Sequence, residues 1–258
     1  MERLSQEQPK GLSRAGLRKW GMVFLILGVF GRSILQNRFL GMVNLNPEQL
    51  LQVISDDSQA MLFATIAIVL QFMETCATPI FCFLLTEGFA HTSNAPRYMA
   101  RVLGVALISE IPFNFAMTGN FLDLSSRNPV FGIAVSLMLL YLYDYSNRNK
   151  QISLLIKVVG TLCALVWCNL LSIEHGACCV VLTVAFWSFR KKLLLRNLVG
   201  GAAAMLCSAF SLFYMVSPMS LVAVHFYNGE PGQENRWVTY LLYPALLIIF
   251  GMVGALVF

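Results

Sequence analysis

The chain of 258 residues is 57% hydrophobic and only 12% charged, and it carries a formal net charge of +5. A soluble domain contains about 25% charged residues, so this composition excludes an ordinary soluble enzyme. The basic residues lie in short loops between apolar runs, which argues against a nucleic-acid partner. A run of about 20 apolar residues can cross a hydrocarbon core of roughly 30 Å. We therefore predict an all-α fold, a polytopic transmembrane helical bundle.

Candidate membrane segments follow one another along almost the whole chain. They are residues 19–40, 59–90, 97–117, 128–145, 151–171, 175–189, 194–216, 218–227 and 237–257. The second is long enough for two passes or for one helix kinked near Pro79, because proline interrupts helical hydrogen bonding. We expect a single transmembrane domain over residues 19–258, preceded by a polar cytoplasmic segment over residues 1–18.

Loop charge favours one pass for residues 59–90. That choice places the basic loop 190–196 on the same side as the basic segment 1–18, and cytoplasmic loops carry excess lysine and arginine. Loops on the other side are neutral or acidic, with Arg127 as the main exception. The sequence therefore predicts about nine crossings, a cytoplasmic N-terminus and an outer C-terminus. A re-entrant segment 218–227 would instead return the C-terminus to the cytoplasm.

Two of the three histidines are predicted at the cytoplasmic side. Glu87 and His91 are four positions apart and share one helix face, where a carboxylate orients an imidazole and raises its basicity. This pair can act as a general base or as a structural ion pair that closes the helix end. His225 is a second candidate base, although interfacial packing explains it equally well. The third histidine, His175, is expected to be an interfacial residue at an outer turn.

A second candidate site lies at the start of segment 97–117. Asn94 fits the N-cap of this helix, and a helix N-terminus beside Arg97 and Arg101 is suited to an anion. Because this end is predicted to face the cytoplasm, the anion would be a phosphate-bearing cofactor. Charge anchoring at the membrane surface explains Arg97 as well, whereas Arg101 lies deeper.

Four further polar residues lie at membrane depth, where ionisable groups usually face a cavity or a partner. Arg32 shares a helix face with Gln36 at the outer end of the first segment, although snorkelling to the interface also explains it. Glu110 and Asn114 flank Pro112, whose bend suits the wall of a polar cavity. We expect Glu110 in the outer half of the membrane, away from His91.

The stretch TPIFCFLLTEGFAHTSNAPRYMARVLGVALISEIPFN resembles the central signature of the TraX family. The later FYNGEPGQENRWVTYLLYPALLI resembles the C-terminal segment of that family, and LDLSSRNPVFG fits the stretch between them. The residues matching the pattern are Glu87, Gly88, His91, Arg101, Ser109, Glu110, Pro112, Asn128, Tyr227, Asn228, Gly229, Tyr243 and Pro244. The resemblance thus adds Asn128 and Tyr243 to the expected polar cavity.

TraX proteins are named for a conjugation protein that acetylates the N-terminus of pilin, and they are grouped with larger membrane acyltransferases. The resemblance implies transfer of an acetyl group from cytoplasmic acyl-CoA to an amine or hydroxyl acceptor, in a bacterial cytoplasmic membrane. In this scheme Arg97 and Arg101 bind the donor phosphates, and His91, oriented by Glu87, deprotonates the acceptor. Arg101 or Asn114 would stabilise the oxyanion. Because the seven cysteines show no CxxC spacing, no metal is expected, and no protein partner is defined.

The sequence also departs from the family pattern. Many members carry an Asp–His pair in the first segment, where this chain reads GVFGRSILQN, and a histidine where this chain has Leu246. The common EIPFD reads EIPFN here, with Asn114. Two alternatives to the acyltransferase therefore remain open. One is a transporter or flippase for a small anionic or lipid-linked solute. The other is a catalytically inactive family member that binds a partner.

Overall fold

The structure, a computed structural model, describes residues 11–41, 45–146, 150–233 and 236–257. Within these ranges the regular elements are helices, and no β-strand is present. The predicted cytoplasmic segment 1–18 falls outside the described residues except for its last part, which begins the first helix. The all-helical prediction is confirmed for the described chain.

Eleven α-helices are present in the described residues. They are α1 Arg14–Phe30, α2 Pro47–Asp56, α3 Ser58–Thr75, α4 Ala77–Ala90, α5 Ala95–Thr118, α6 Val130–Ser146, α7 Lys150–Leu170, α8 Gly176–Ser188, α9 Leu193–Leu206, α10 Ser220–His225 and α11 Arg236–Val257. A π-helix, Gly31–Phe39, continues α1, and 3-10 helices at Cys207–Ala209 and Leu212–Met219 lie between α9 and α10.

Local side-chain bonds explain where several helices begin. The Ser13 hydroxyl accepts a hydrogen bond from the Gly16 amide at 3.2 Å and caps α1. Asn94 caps α5 by accepting a bond from the Arg97 amide at 2.9 Å, so the predicted N-cap is confirmed. Such caps satisfy amide groups that have no partner within the helix.

Helices α3 and α4 form one apolar stretch of 33 residues, Ser58–Ala90, with a break at Cys76. Pro79 lacks an amide hydrogen, so the Thr75 carbonyl loses its usual helical donor. The Thr75 hydroxyl lies 2.9 Å from the Phe213 carbonyl and links the break to a neighbouring segment. The predicted kink near Pro79 is confirmed, and a single membrane pass for this stretch stays a prediction.

Nine apolar helical stretches occupy the described chain, close to the predicted segments. Four are long and apolar enough to cross a membrane: Arg14–Phe39, Ser58–Ala90, Ala95–Thr118 and Ile152–Leu170. Five are shorter: Val130–Ser146, Gly176–Ser188, Leu193–Ala209, Leu212–His225 and Tyr240–Leu256. The number of crossings and the cytoplasmic N-terminus therefore stay predictions.

The predicted boundary between segments 194–216 and 218–227 is wrong. The helices are interrupted before Leu212, where Ser211 has extended backbone angles, and Pro218 lies inside the next helical segment. Pro218 lies at the end of the 3-10 helix Leu212–Met219, two residues before α10 begins at Ser220.

The two described chain ends lie at opposite ends of the bundle. Near the start, the Leu12 amide donates to the Phe226 carbonyl at 2.7 Å, and the Asn228 amide donates to the Leu12 carbonyl at 3.0 Å. Near the finish, Gly254 lies against Arg38. We call the end with Leu12 the N-terminal face and the end with Arg38 the opposite face. This arrangement agrees with an odd number of crossings.

Helices α4 and α8 lie at the centre of the bundle. Ile80, Phe83, Leu182 and Phe186 are fully buried between them and their neighbours, and the Phe83 and Phe186 rings meet edge to face at 5.7 Å. Helix α7 instead exposes many large apolar side chains, as expected for a surface in contact with lipid.

The close approach of α6 and α8 depends on glycine. A Cβ atom at Gly132 would lie 2.8 Å from the Gly176 Cα, a distance that requires the backbones to separate. We expect Gly132→Ala to destabilise the protein by on the order of 1–3 kcal/mol, measured as a lower thermal unfolding midpoint in detergent.

Gly104→Ala is the matched control, because nothing lies within 4 Å of a Cβ atom at this α5 position. This substitution should leave the midpoint unchanged or raise it slightly. Equal midpoints for the two variants would contradict the proposed close contact.

Candidate active-site cavity

A cavity of about 640 Å³ enters the bundle from the N-terminal face. Its mouth carries Arg14, Arg18 and Arg101, and its deep end is lined by Glu74, His175 and Tyr243. Apolar side chains, among them Met22, Leu25, Leu84, Leu85, Val102 and Val105, form the wall between them. The volume is in the range of small-molecule and cofactor sites.

The mouth of this cavity is strongly basic. Arg101 Nε donates to the Arg97 carbonyl at 3.3 Å, and its guanidinium carbon lies 6.0 Å from the centre of the Tyr98 ring. Arg14 is half-buried, and its buried Nε has no hydrogen-bond partner within the described residues. The positive N-terminal end of α5 adds to the charge. Arg97 is exposed, as Arg101 is, but unlike Arg101 it does not line the cavity.

The loop that follows α10 forms one side of the mouth. The Arg14 amide donates to the Glu230 carbonyl at 2.8 Å, and the Ala15 amide donates to the Pro231 carbonyl at 3.2 Å. Pro231 and Gly232 line the cavity. Gly232 has a φ of +70°, and a Cβ atom there would lie 2.5 Å from the Ser13 hydroxyl, so a larger residue would disturb this rim.

His91 lines the mouth of the cavity, whereas Glu87 does not, and the two side chains interact only loosely. His91 Nδ1 is 2.8 Å from the Glu87 carbonyl oxygen and 4.0 Å from Glu87 Oε2. The short contact makes Nδ1 the donor and leaves Nε2 as the acceptor in the neutral ring. The His91 side chain is 63% exposed, so a base at this position would work in contact with water.

His225 does not join this site. It is exposed, and its Nδ1 lies 3.0 Å from the side-chain amide of Asn197 in α9. It lines neither the large cavity nor the second cavity described below.

Glu74 is the buried carboxylate that sequence reasoning missed. It is only 6% exposed, and its Oε2 has no hydrogen-bond partner within the described residues. Gly28 in α1 makes room for it, since a Cβ atom there would lie 2.2 Å from the Glu74 Cβ. An acidic residue in the middle of a long apolar segment is itself a functional signal, and this signal was present in the sequence.

Arg32 forms the ionic centre of the interior. Its Nη1 and Nη2 bind the two carboxylate oxygens of Glu174, the Nη2 contact at 3.0 Å, and its Nε lies 4.0 Å from Glu74 Oε2. The Arg32 side chain is 12% exposed and therefore does not snorkel to the interface. Burial would raise the pKa of Glu174, but the charge of Arg32 and its hydrogen bond to Glu174 hold that pKa below its usual range. Arg32 lies in the π-helix, an uncommon conformation that is frequent at functional sites.

A second cavity of about 360 Å³ lies beyond this ionic centre. Its lining includes Arg32, Gln71, Thr75, Asn169, Glu174 and Ser211, together with Glu74 and His175, which also line the large cavity. The turn that carries Glu174 and His175 pairs with the loop after α5, because the Arg127 amide donates to the Ser172 carbonyl at 2.9 Å. Gly119, at the start of that loop, lies against Arg38, so the second cavity is on the side of the opposite face.

Of the other residues predicted to line a polar cavity, one lines the large cavity and three lie outside both cavities. Tyr243 is buried and lines the deep end of the large cavity. Glu110 accepts hydrogen bonds from Arg127 Nη1 at 3.0 Å and from the Asn128 side chain at 2.7 Å, but it lines neither cavity. Asn128 and Asn114 are also buried and line neither one. Glu110 instead holds the segment that pairs with the Glu174 turn.

These features define a helical membrane protein with a cavity that joins a basic mouth to buried ionisable groups. The TraX protein family model matches residues 49–254, and the chain therefore belongs to the TraX family. The match includes every cavity residue from Glu74 to Tyr243. It does not include four residues that precede it: Arg14, Arg18, Gly28 and Arg32.

A curated relative is the probable fimbrial assembly protein FimC, serogroup H1, of Dichelobacter nodosus. It is 24% identical over 198 residues, which cover 68% of this chain and 78% of the relative. No solved structure matches this chain.

Removal of the Arg32 charge tests how much the ionic centre stabilises the protein. Arg32→Ala would leave the buried Glu74 and the partly buried Glu174 without this cation. We expect a loss of about 3–5 kcal/mol in the free energy of unfolding, seen as a lower thermal midpoint in detergent. Arg97→Ala removes an exposed arginine and should leave the midpoint unchanged. The same midpoint for both variants would refute a structural role for the buried pair.

Proposed function

We propose that this protein is an integral membrane acyltransferase that uses acyl-CoA, with acetyl-CoA as the simplest donor, and an amine or hydroxyl acceptor. The observation that carries the proposal is one continuous cavity. It leads from three arginines at the mouth to a buried carboxylate and an imidazole at the deep end. Membership of the TraX family supports the same class of reaction.

The two ends of the cavity suit the two ends of acyl-CoA. The phosphate groups of the donor are anionic, and arginine binds phosphate through paired charge-assisted hydrogen bonds. The pantetheine arm is long and carries no charge, which fits the apolar wall between Met22 and Val102. A donor bound in this way would present its thioester to the interior of the bundle.

Two places along the cavity offer a base for the transfer step. At the mouth, His91 Nε2 is available as an acceptor because Nδ1 contacts the Glu87 carbonyl. At the deep end, Glu74 Oε2 has no hydrogen-bond partner within the described residues. Either group could remove a proton from an acceptor. With either base, the donor binds in the same cavity. The name of the relative makes a fimbrial subunit the first acceptor to test.

Binding of labelled acetyl-CoA to the detergent-purified protein tests the donor site. Arg101→Ala should weaken saturable binding about tenfold or more, since a charge-assisted hydrogen bond contributes roughly 1.5–3 kcal/mol. Arg97→Ala, the matched control one helical turn away, should change the affinity by less than about twofold because Arg97 lies outside the cavity.

Two results would argue against this donor site. Equal weakening in both variants would place the donor at the helix N-terminus outside the cavity. A folded wild-type protein without saturable binding would remove the basis for an acyl-CoA donor.

A transporter is the second candidate, because two cavities on different sides of the bundle share Glu74 and His175. Buried charges between alternately open cavities are typical of transporters. Proteoliposomes without acyl donor provide the test, with labelled acetate and labelled phosphate as probes. Uptake above that of protein-free vesicles would favour transport. Saturable acetyl-CoA binding without uptake of either probe would favour the acyltransferase.

A further inference from the structure

We propose that acyl transfer occurs at Glu74 and His175, where the two cavities meet, and that the acceptor reaches this point through the second cavity, from the opposite face. The inference rests on the proposed acyltransferase function and adds the place of the reaction and the route of its second substrate. The ligand assigned to the second cavity is an acceptor with an amine or hydroxyl nucleophile.

The shared lining is the first observation behind this inference. Glu74 and His175 line both cavities, whereas Arg14, Arg18 and Arg101 line only the large one. Two substrates that enter these cavities from different sides can therefore meet near these two side chains. The route keeps the donor and the acceptor apart until both are bound, which limits loss of the thioester to water.

The state of Glu74 is the second observation. A buried carboxylate oxygen normally has a hydrogen-bond partner, but Oε2 has none within the described residues, and Arg32 Nε approaches only to 4.0 Å. The space that Gly28 leaves holds this carboxylate in place. A free acceptor oxygen at the junction of two cavities is a site for the N–H or O–H group of a nucleophile.

The backbone at His175 is the third observation. His175 has a φ of +56°, in the left-handed region that residues other than glycine rarely adopt. Hydrogen bonds between Arg127 and the turn maintain this conformation, and the His175 ring contacts Tyr214 edge to face at 5.4 Å. Unfavourable backbone angles persist where surrounding structure enforces them, and they cluster at active sites.

The polar lining of the second cavity suits an acceptor. Gln71, Thr75, Asn169 and Ser211 offer hydrogen-bond donors and acceptors along its wall. The charge of Arg32 is already satisfied by Glu174, so the lining around Glu74 favours a neutral or cationic group over an anion. This is the opposite preference to that of the arginine mouth.

The transfer step balances without a further reactant. Glu74 Oε2 accepts a proton from the neutral amine or hydroxyl of the acceptor as its nitrogen or oxygen attacks the thioester carbonyl. A new C–N or C–O bond forms, the C–S bond breaks, and the sulfur of CoA takes the proton back from Glu74. The products are the acylated acceptor and CoA thiol, and nothing is oxidised or reduced. His175, beside Glu74, hydrogen-bonds the reacting groups.

The first experiment compares Glu74→Gln and His175→Ala with His91→Ala. Each variant is returned to the native host after deletion of the gene, so that the natural acceptor is present, and label transfer from acetyl-CoA into membrane material is measured. Binding of acetyl-CoA to the purified variants is measured in parallel. We expect Glu74→Gln and His175→Ala to lose about 100-fold or more of the transfer rate while binding changes by less than about threefold. His91→Ala, at the alternative base, should lose far less of the transfer rate than these two variants. His225→Ala is the matched control and should keep the transfer, because His225 lines neither cavity.

The opposite pattern, with transfer lost in His91→Ala and kept in Glu74→Gln and His175→Ala, would overturn the inference and leave donor binding intact. Absence of both binding and transfer in the wild type would instead overturn the acyltransferase function, and the inference with it.

The second experiment tests the route and does not depend on the folding of the Glu74 variant. Ser211→Cys lies in the lining of the second cavity, and Ser125→Cys lies in the exposed loop after α5 as the matched control. A membrane-impermeant thiol reagent is added to sealed vesicles of either orientation, with untreated and wild-type protein as background.

We expect reagent on the opposite face to modify both variants but to block label transfer only in Ser211→Cys, without effect on acetyl-CoA binding. Full transfer by modified Ser211→Cys, or its modification only from the N-terminal face, would overturn the proposed acceptor route.

Discussion

The partly buried contact between Arg32 and Glu174 is the interaction on which the interior of this bundle depends. An ion pair in water contributes little to stability. Inside an apolar bundle, however, a charge without a partner is strongly destabilising. Arg32 comes from the first helix, Glu174 from the turn before α8, and Glu74 from α3 lies 4.0 Å from the guanidinium. One cation therefore joins three parts of the chain that are distant in sequence and places two carboxylates beside the cavities.

Space between the helices is the second constraint, and glycine residues provide it. Gly28 leaves the volume that the Glu74 side chain occupies, and Gly132 lets α6 approach Gly176 of α8. Small residues at helix contacts are common in membrane bundles, where close packing stabilises helix association. In this protein they also determine where a polar side chain can be accommodated, because a carboxylate cannot enter a contact already filled by a methyl group.

Local signals predicted some of the residues that line the large cavity and missed others. The Asn94 cap and the interruption before Pro79 were readable because each depends on residues within one helical turn. Arg101 lies near the start of α5 and lines the cavity mouth, and its role as a donor ligand stays a prediction. Glu74 was missed because it has no partner three or four positions away, although an acidic residue in so apolar a stretch was a visible anomaly. His175 looked interfacial because its turn is short and polar.

The sequence by itself determined the helical membrane class, the positions of the apolar segments and the basic character of one end. These properties follow from hydrophobicity, helix caps and charge in loops, all of which act over short distances along the chain. Only the tertiary structure decided which polar residues meet. Glu110 and Asn128, expected in the cavity, support it from outside, whereas Glu74 and His175 line two cavities at once. The physical reason is that such encounters depend on how whole helices pack against each other, and the periodicity within one helix does not specify its neighbour.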